Sequence, residues 1–258
     1  MHQSERTFDR LVSDALEAPF SGWDFSYLGG GKRTEEPPWS YRDIVRNAMH
    51  GIGSLLDMGT GGGEIFSDFA PFPPHTCATE AYPPNVPVAR ARLEPLGARV
   101  VPIVDDIDIP LPFDDDEFDL VINRHEAFNS TEVARILRPG GRFITQQVGP
   151  RNEIEIVEWL QGPGQPTEPD PWCLDYVVQQ LCDAGLKTND AREASTKSIY
   201  LDIGAVVYQV RACPWWVEDF TVERYRSRLL AMHRHIEKHG GFETTESRLI
   251  VTATKPLR

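Results

Sequence analysis

The sequence predicts an α/β protein: a parallel sheet covered by helices on both faces, preceded by an N-terminal helical cap and interrupted by an insertion before the last strand. Three observations predict it. From residue 51 to residue 150, apolar runs of strand character alternate with helical stripes in short units. The stretch SLLDMGTGGGEIF, residues 54–66, carries an apolar strand into a loop with glycine at alternate positions and then into a helix start. Acidic residues close the first three strands, at the carboxyl ends where such sheets bind ligands.

The elements follow in order. Phe8, Leu11, Val12 and Ala15 recur at helical spacing, and Pro19 stops them. The segment FSGWDFSYLGGGKRTEEPPWSYRD, residues 20–43, is rich in turn residues and aromatics and reads as an irregular cap. SLLDMG is a buried strand, and EIFSDFA begins a helix that ends before PFPP. HTCATEA is the second strand of the alternating region. Val86, Ala89, Leu93 and Leu96 form a stripe closed at Gly97, and ARVVPIV is the third strand. DDDEFDLVINRH holds an acidic turn and the fourth strand. Asn129 with Glu132 caps the helix of Val133, Ile136 and Leu137; RPGG stops it, and RFITQQVG is the fifth strand.

The last third is less regular. Asp170 and Pro171 start a helix carrying Leu174, Val177, Val178 and Leu181, ended by Gly185. LKTNDAREAS is a candidate sixth strand, and IYLDIGAVVYQVRACPWWVEDF is an insertion, part helix. Val222, Tyr225, Leu229, Met232 and Ile236 define a long helix stopped by Gly240-Gly241, and RLIVTATKP is the final strand. The expected division is a cap segment over 1–50 and one ligand-binding domain over 51–258, with 199–240 as a lid-like insertion. Crossovers between the parallel strands are right-handed.

Composition narrows the function classes. The 258 residues are 40% hydrophobic, enough for a sizeable core. The formal charge is 26 − 39 = −13, which disfavours nonspecific binding to nucleic acid or anionic lipid. The four cysteines form no Cys-x-x-Cys pair, which suits a reducing cytosol. The polar start MHQSERTFDR lacks the apolar middle of a signal peptide, and no run approaches the ~18 apolar residues of a membrane span. A soluble, cytoplasmic protein is expected. His235 and His239 share a helix face, but His233 points elsewhere and HExxH is missing, so no metal site is expected.

The glycine loop has three candidate ligands. A dinucleotide fingerprint fits Gly59 and Gly61 but meets Glu64 at its third position, where a carboxylate opposes a pyrophosphate. A P-loop needs a lysine that this loop lacks; the other cluster, GGGKR at 29–33, has Ser26 and Arg33 at the wrong places. What stands here is Asp57-x-Gly59-x-Gly61-x-Gly63, with Thr60 inside the loop. Acids on both sides of the loop suit a ligand with hydroxyls and positive charge and no phosphate, as in S-adenosylmethionine. Glu80, 23 residues after Asp57, can accept both ribose hydroxyls. Asp105 or Asp106 can accept from an adenine amino group, and Ile107 can pack on the ring.

At these residues the chain resembles a family. LLDMGTGGGE, TEAYPPN, LPFDDDEFDLVIN and EVARILRPGGRF are similar to the motifs of class I S-adenosylmethionine-dependent methyltransferases of the methyltransferase-11 or UbiE-like kind. The resemblance covers residues 51–150. It implies a doubly wound, Rossmann-like, seven-stranded and mostly parallel sheet whose last strand is antiparallel, with RLIVTATKP inserted at the edge. It also implies that Asp57, Gly59, Gly61 and Gly63 hold the methionine part, Glu80 the ribose and Asp106 the adenine. The spacing before LPF is about one residue longer than the family pattern, so Asp105 is the alternative to Asp106.

Methyl transfer is an in-line displacement in which alignment and exclusion of water do most of the work. The residues after the fourth strand, NRHEAFN, face the transfer side in this topology. His125 is the first candidate for a general base and Glu126 the second, while Asn123 and Arg124 line the cofactor. The segments from Trp23 to Tyr41 and from Cys213 to Phe220 are irregular and aromatic. Trp23, Trp39, Tyr41, Trp215 and Trp216 are therefore candidates for a lid over an apolar or aromatic small molecule. The expected partners are a small-molecule acceptor and, for assembly, a second copy of the chain. The rival readings are an RNA base methyltransferase, a nicotinamide-dependent oxidoreductase and a cofactor-binding subunit that transfers nothing.

Overall fold

A computed structural model describes residues 3–104, 106–164 and 172–257, with residues 3–6 described by their backbone alone. Its strands are β1 (Lys32–Thr34), β2 (Ser54–Met58), β3 (His75–Glu80), β4 (Arg99–Pro102), β5 (Phe118–Arg124), β6 (Leu137–Val148), β7 (Lys187–Tyr200) and β8 (Phe242–Thr254). Its helices are α1 (Gln3–Glu17), α2 (Tyr41–Ala48), α3 (Asn85–Leu93), α4 (Ser130–Ile136), α5 (Ile154–Gln161), α6 (Leu174–Asp183), α7 (Ile203–Ala212) and α8 (Val222–His239).

The strands form one sheet in the order β4-β3-β2-β5-β6-β8-β7-β1. From β4 to β6 the pairs are parallel. β8 runs antiparallel to both β6 and β7. The expected count of seven strands is corrected to eight, because Lys32–Thr34 pairs antiparallel with Ser198–Tyr200 and adds a strand at the edge. RLIVTATKP is not an edge strand either, because β7 pairs with its far side. It lies between β6 and β7, and the edge beyond β7 belongs to β1.

Strand alternation sends residues to two faces. Leu55, Ile122, Ile144 and Ile250 pack with Val45 and Ala48 of α2 and Ala89 and Leu93 of α3. Leu56, Val121, Phe143, Leu249 and Val251 pack with Val133 and Ile136 of α4 and Val177 and Leu181 of α6. Covering both faces leaves the carboxyl ends of β2 to β6 as the open end of the sheet.

Local chemistry explains several element ends. Asn129 Oδ1 accepts from Thr131 N at 2.9 Å and Glu132 N at 3.3 Å, which caps α4 as its sequence requires. Ser40 and Thr221 cap α2 and α8 in the same way. Gly240, in the left-handed region, ends α8. The helix expected from EIFSDFA shortens to a single 3-10 turn, Phe66–Phe69. Ala70 is already extended there, as the residue before a proline prefers. The helix start expected at Asp170-Pro171 lies outside the described residues; α6 begins at Leu174.

The N-terminal 50 residues are divided among three tasks. α1 packs through Phe8, Val12 and Ala15 into a core with α7 and α8, β1 joins the sheet, and α2 covers part of one face. The insertion over 199–240 begins within β7 and continues as α7 and α8. Of α7, every residue but Arg211 is buried.

Candidate active site

The loop after β2 is tied to the next strand by its own backbone. Thr60 N donates to Thr79 O at 2.8 Å, and Gly59 N donates to Thr79 Oγ1 at 3.2 Å. Gly59 and Gly61 have φ of +68° and +62°, values that L side chains rarely adopt. Space forbids side chains there as well. A Cβ on Gly61 would lie 2.5 Å from Trp23 Cδ1, and one on Gly59 2.3 Å from Glu126 Cγ. Trp23 and Glu126 thus bracket the loop.

Two buried carboxylates flank it. Asp57, 7% exposed at the end of β2, has its pKa pushed up to about 7 by burial, opposed by Thr60 and the positive charge of Arg124. Glu80, 5% exposed, is also raised by burial, although Tyr82 N donates to its Oε1 at 2.7 Å. Both gain from a ligand that brings positive charge or hydroxyl donors. Buried Tyr41 Oη and Asn123 Nδ2 find no hydrogen-bond partner among the described residues. Around the loop, then, sit two acceptor groups raised by desolvation and two polar atoms without partners. Unsatisfied buried groups of this kind are costly unless a ligand completes them. That set fits S-adenosylmethionine, with its ammonium, sulfonium and ribose hydroxyls.

Glu64 departs from the sequence expectation in one respect. Arg92 of α3 donates both to its carboxylate and to Gly62 O, so the charge that was to repel a pyrophosphate is partly matched. The mismatch with a dinucleotide then rests on the missing third glycine and on buried Asp57.

Asp106, expected from the sequence to meet adenine, lies beyond β4 in an exposed turn where its Oδ1 accepts from Asp108 N at 3.0 Å. Ile107 is 47% exposed beside it. Asp105 lies outside the described residues.

The tip of β5 is held by two consecutive glutamines of β6. Gln147 Nε2 donates to Asn123 Oδ1 at 2.6 Å and to Glu126 O at 2.9 Å. Gln146 Nε2 lies 3.3 Å from His125 Nε2, and Gln146 O accepts from His125 N at 2.8 Å. Sequence reasoning missed both glutamines. Their signal is the QQ pair inside an apolar strand, where one residue must face each side of the sheet.

His125 has φ of +62°, so the strand does not continue through it. This turn lets His125 and Glu126 both stay near the strand ends, which a continuing strand would forbid. Burial, then the positive charges of Arg124 and Arg248, hold the imidazole well below its ordinary range. Among the described residues none forms an ion pair with Arg124, which burial also depresses.

The lid candidates separate into three groups. Trp23 and Trp215 are both exposed and meet edge to face at 6.1 Å, with Trp23 lying against Gly61. Trp39 and Tyr41 are buried on the sheet face, where Trp39 Nε1 donates to Gln146 Oε1 at 2.9 Å. Trp216 is 4% exposed within the core of α1, α7 and α8 and does not reach the open end. Of the three helix histidines, His235 and His239 meet with tilted rings, centroids 4.4 Å apart, whereas His233 packs on Phe8.

Residues 56–145 match the methyltransferase domain family, Methyltransf_11. A stretch of 97 residues is 31% identical to YcgJ of Bacillus subtilis (strain 168), an uncharacterized methyltransferase, and the match covers 35% of this chain and 38% of that protein. The chain therefore spans well under half the length of that curated relative. The crystal structure of YcgJ superposes with a TM-score of 0.59 at 17% identity, over 84% of this chain and 98% of that one. The structure of BH2331 from Bacillus halodurans C-125 gives 0.57 at 19% identity, over 84% and 100%. The [4+2]-cyclase SpnF gives 0.53 at 20% identity, over 99% and 96%. At these identities the likeness shows the fold alone.

Proposed function

We propose, from the match of residues 56–145 to the methyltransferase domain family, that the protein transfers the methyl group of S-adenosylmethionine to a small-molecule acceptor at oxygen, nitrogen or carbon. The observation that carries the reading is the pair of buried carboxylates, Asp57 and Glu80, on either side of a glycine loop bracketed by Trp23 and Glu126.

When bound, the cofactor supplies a methyl group activated by a sulfonium. The chain's own residues do the rest. Asp57 accepts from the ammonium and Glu80 from the ribose hydroxyls, and the backbone of Gly59 to Gly63 lies beneath the methionine part. Asp106, or Asp105, and Ile107 serve the adenine. Arg124 and Asn123 supply donors at the transfer side. Trp23 and Trp215 exclude water from above the loop, which strengthens the polar contacts inside. His125 and Glu126 are the groups nearest the acceptor. The net charge of −13 supports a small acceptor over RNA. No helix among the described residues is long and apolar enough to cross a membrane. A cytoplasmic location and assembly as a homodimer belong to the same reading.

A second reading keeps the cofactor site without transfer, and the [4+2]-cyclase of the same fold is the observation that favours testing it. Calorimetry with S-adenosylhomocysteine and NADH decides the ligand. Binding of the nucleoside supports the proposal, and binding of NADH alone rejects it. Transfer of labelled methyl across an acceptor panel then separates an enzyme from a binding subunit.

A further inference from the structure

Three side chains behind the tip of β5 form a hydrogen-bonded line with only one possible polarity. An indole N–H is a donor only. The Gln146 atom 2.9 Å from Trp39 Nε1 is therefore the carbonyl oxygen, and the amide assignment follows from the network. The Gln146 nitrogen then faces His125 Nε2 at 3.3 Å, and an amide nitrogen only donates. His125 Nε2 must offer its lone pair. In a neutral imidazole that leaves the proton on Nδ1.

The surroundings hold this line in place. Trp39 is 8% exposed and Gln146 5%. The Arg192 guanidinium lies over the Trp39 ring at 5.5 Å. Gln146 sits in register between Arg124 of β5 and Ile250 of β8, so its side chain cannot leave the face that α2 covers. The His125 backbone is fixed to Gln146 O, and its φ of +62° turns the ring back toward β6. The charged groups facing the imidazole are Arg124 and Arg248, both cationic, and they oppose a second proton.

We propose that Trp39 and Gln146 are positioning residues that hold His125 as the neutral Nδ1–H tautomer, so that His125 meets the acceptor as a hydrogen-bond donor and not as a proton acceptor. The word acceptor rests on the methyl-transfer reading; the tautomer does not. A lone pair engaged by Gln146 cannot take a proton from the acceptor without breaking that bond. The general base expected from the sequence is replaced by a donor beside the Arg124 guanidinium. Two donors of this kind suit an acceptor that arrives as an oxyanion, with no proton left to remove.

The test is long-range 15N–1H correlation of the histidine rings in the uniformly labelled full chain, with His125 assigned by the signals lost in His125→Gln. The expected wild-type pattern at neutral pH is a pyridine-type Nε2 and a pyrrole-type Nδ1. Trp39→Phe frees the Gln146 amide to turn and mixes the tautomers, and Gln146→Leu mixes them by removing the donor. Gln146→Glu reverses the pattern, since a carboxylate accepts from Nε2–H, and it raises the His125 pKa. A protonated Nε2 in the wild type overturns the proposal, as does an unchanged pattern in Gln146→Leu and Gln146→Glu together. Should Trp39→Phe not fold, the two Gln146 variants and the wild-type spectrum decide. Because no turnover is needed, failure of methyl transfer and failure of the tautomer are read separately.

Discussion

The side chain of Glu126 rests on the backbone of Gly59, so close that a Cβ at Gly59 would lie 2.3 Å from its Cγ. The residue after β5 and the loop after β2 thus form one surface. Gly59→Ala is expected to lose measurable binding of S-adenosylhomocysteine by calorimetry. The positive φ alone costs about 1–2 kcal/mol, which a urea unfolding curve reads. Retained affinity would mean that the ligand does not approach this loop.

Cofactor affinity is expected to rise with pH up to neutrality. Burial lifts the Asp57 carboxyl to about 7, so below that pH it is largely protonated, while a cationic ligand requires it ionised. Binding therefore releases a proton, and affinity falls by up to about tenfold per pH unit below 7. The groups facing Asp57 are Arg124 and Glu80, with Thr60 and Tyr41 alongside. Asp57→Asn should flatten the profile, and Arg124→Gln should move its midpoint upward. Equal binding heats in buffers of different ionisation enthalpy would contradict the proton release.

Lys32 ties the N-terminal segment to the sheet through two buried carboxylates. Its Nζ lies 2.5 Å from Glu153 Oε1 and 2.8 Å from Glu246 Oε1, and Tyr200 Oη donates to Glu153 at 3.1 Å. Lys32→Met leaves Glu153 without its cation and Glu246 with Arg248 alone, and is expected to cost about 3–5 kcal/mol in urea unfolding. Adding Glu153→Gln should recover part of the loss; strict additivity would show that the two do not interact.

The same Glu153 makes a signed prediction for stability. Burial raises its folded-state pKa above the ordinary carboxylate value, with Lys32 opposing. Its contribution is fully present below the unfolded pKa and is lost as pH rises through the raised folded-state pKa. Urea midpoints at pH 5 and pH 8 should differ less in Glu153→Gln than in the wild type.

Trp23 and Trp215 should behave differently although they touch. Trp23→Ala removes a ring lying on Gly61 and is expected to weaken S-adenosylhomocysteine binding by roughly 2- to 12-fold, the range of about 0.5–1.5 kcal/mol for an aromatic contact. Trp215→Ala should spare that binding and raise the KM of the acceptor. Unchanged kinetics in both would remove the lid.

The strands from β2 to β5 and the part of β6 from Arg142 onward were legible because each is short, apolar and followed by a turn signal, and the loop because its acids and glycines are local in sequence; Leu137, expected in the helix, opens β6 instead. β1 was not legible, since Lys32, Arg33 and Thr34 form a strand only by pairing with β7, about 165 residues away, and carry no apolar alternation of their own. The Phe66–Phe69 turn was read as a helix because its apolar spacing is helical, while the proline after Ala70 decides its length. The roles of Gln146 and Gln147 depend on partners some 21 to 24 residues distant, and a positive φ at His125 has no signal in residue type. The expectation of a general base at His125 came from residue type alone.

β1 covers only the last three residues of a fourteen-residue outer strand, and Glu35 N extends the contact by one bond to Lys197 O. Along the uncovered remainder, Lys187, Asp190, Arg192 and Glu193 place charge of both signs, the usual guard against a neighbour's backbone. Trimming the chain ahead of Thr34 would bare the whole length of this ribbon at its apolar end, around Ile199 and Tyr200. A shortened protein should then self-associate side by side at concentrations where the intact one stays dispersed, which light scattering on a chain starting near Glu36 reads directly.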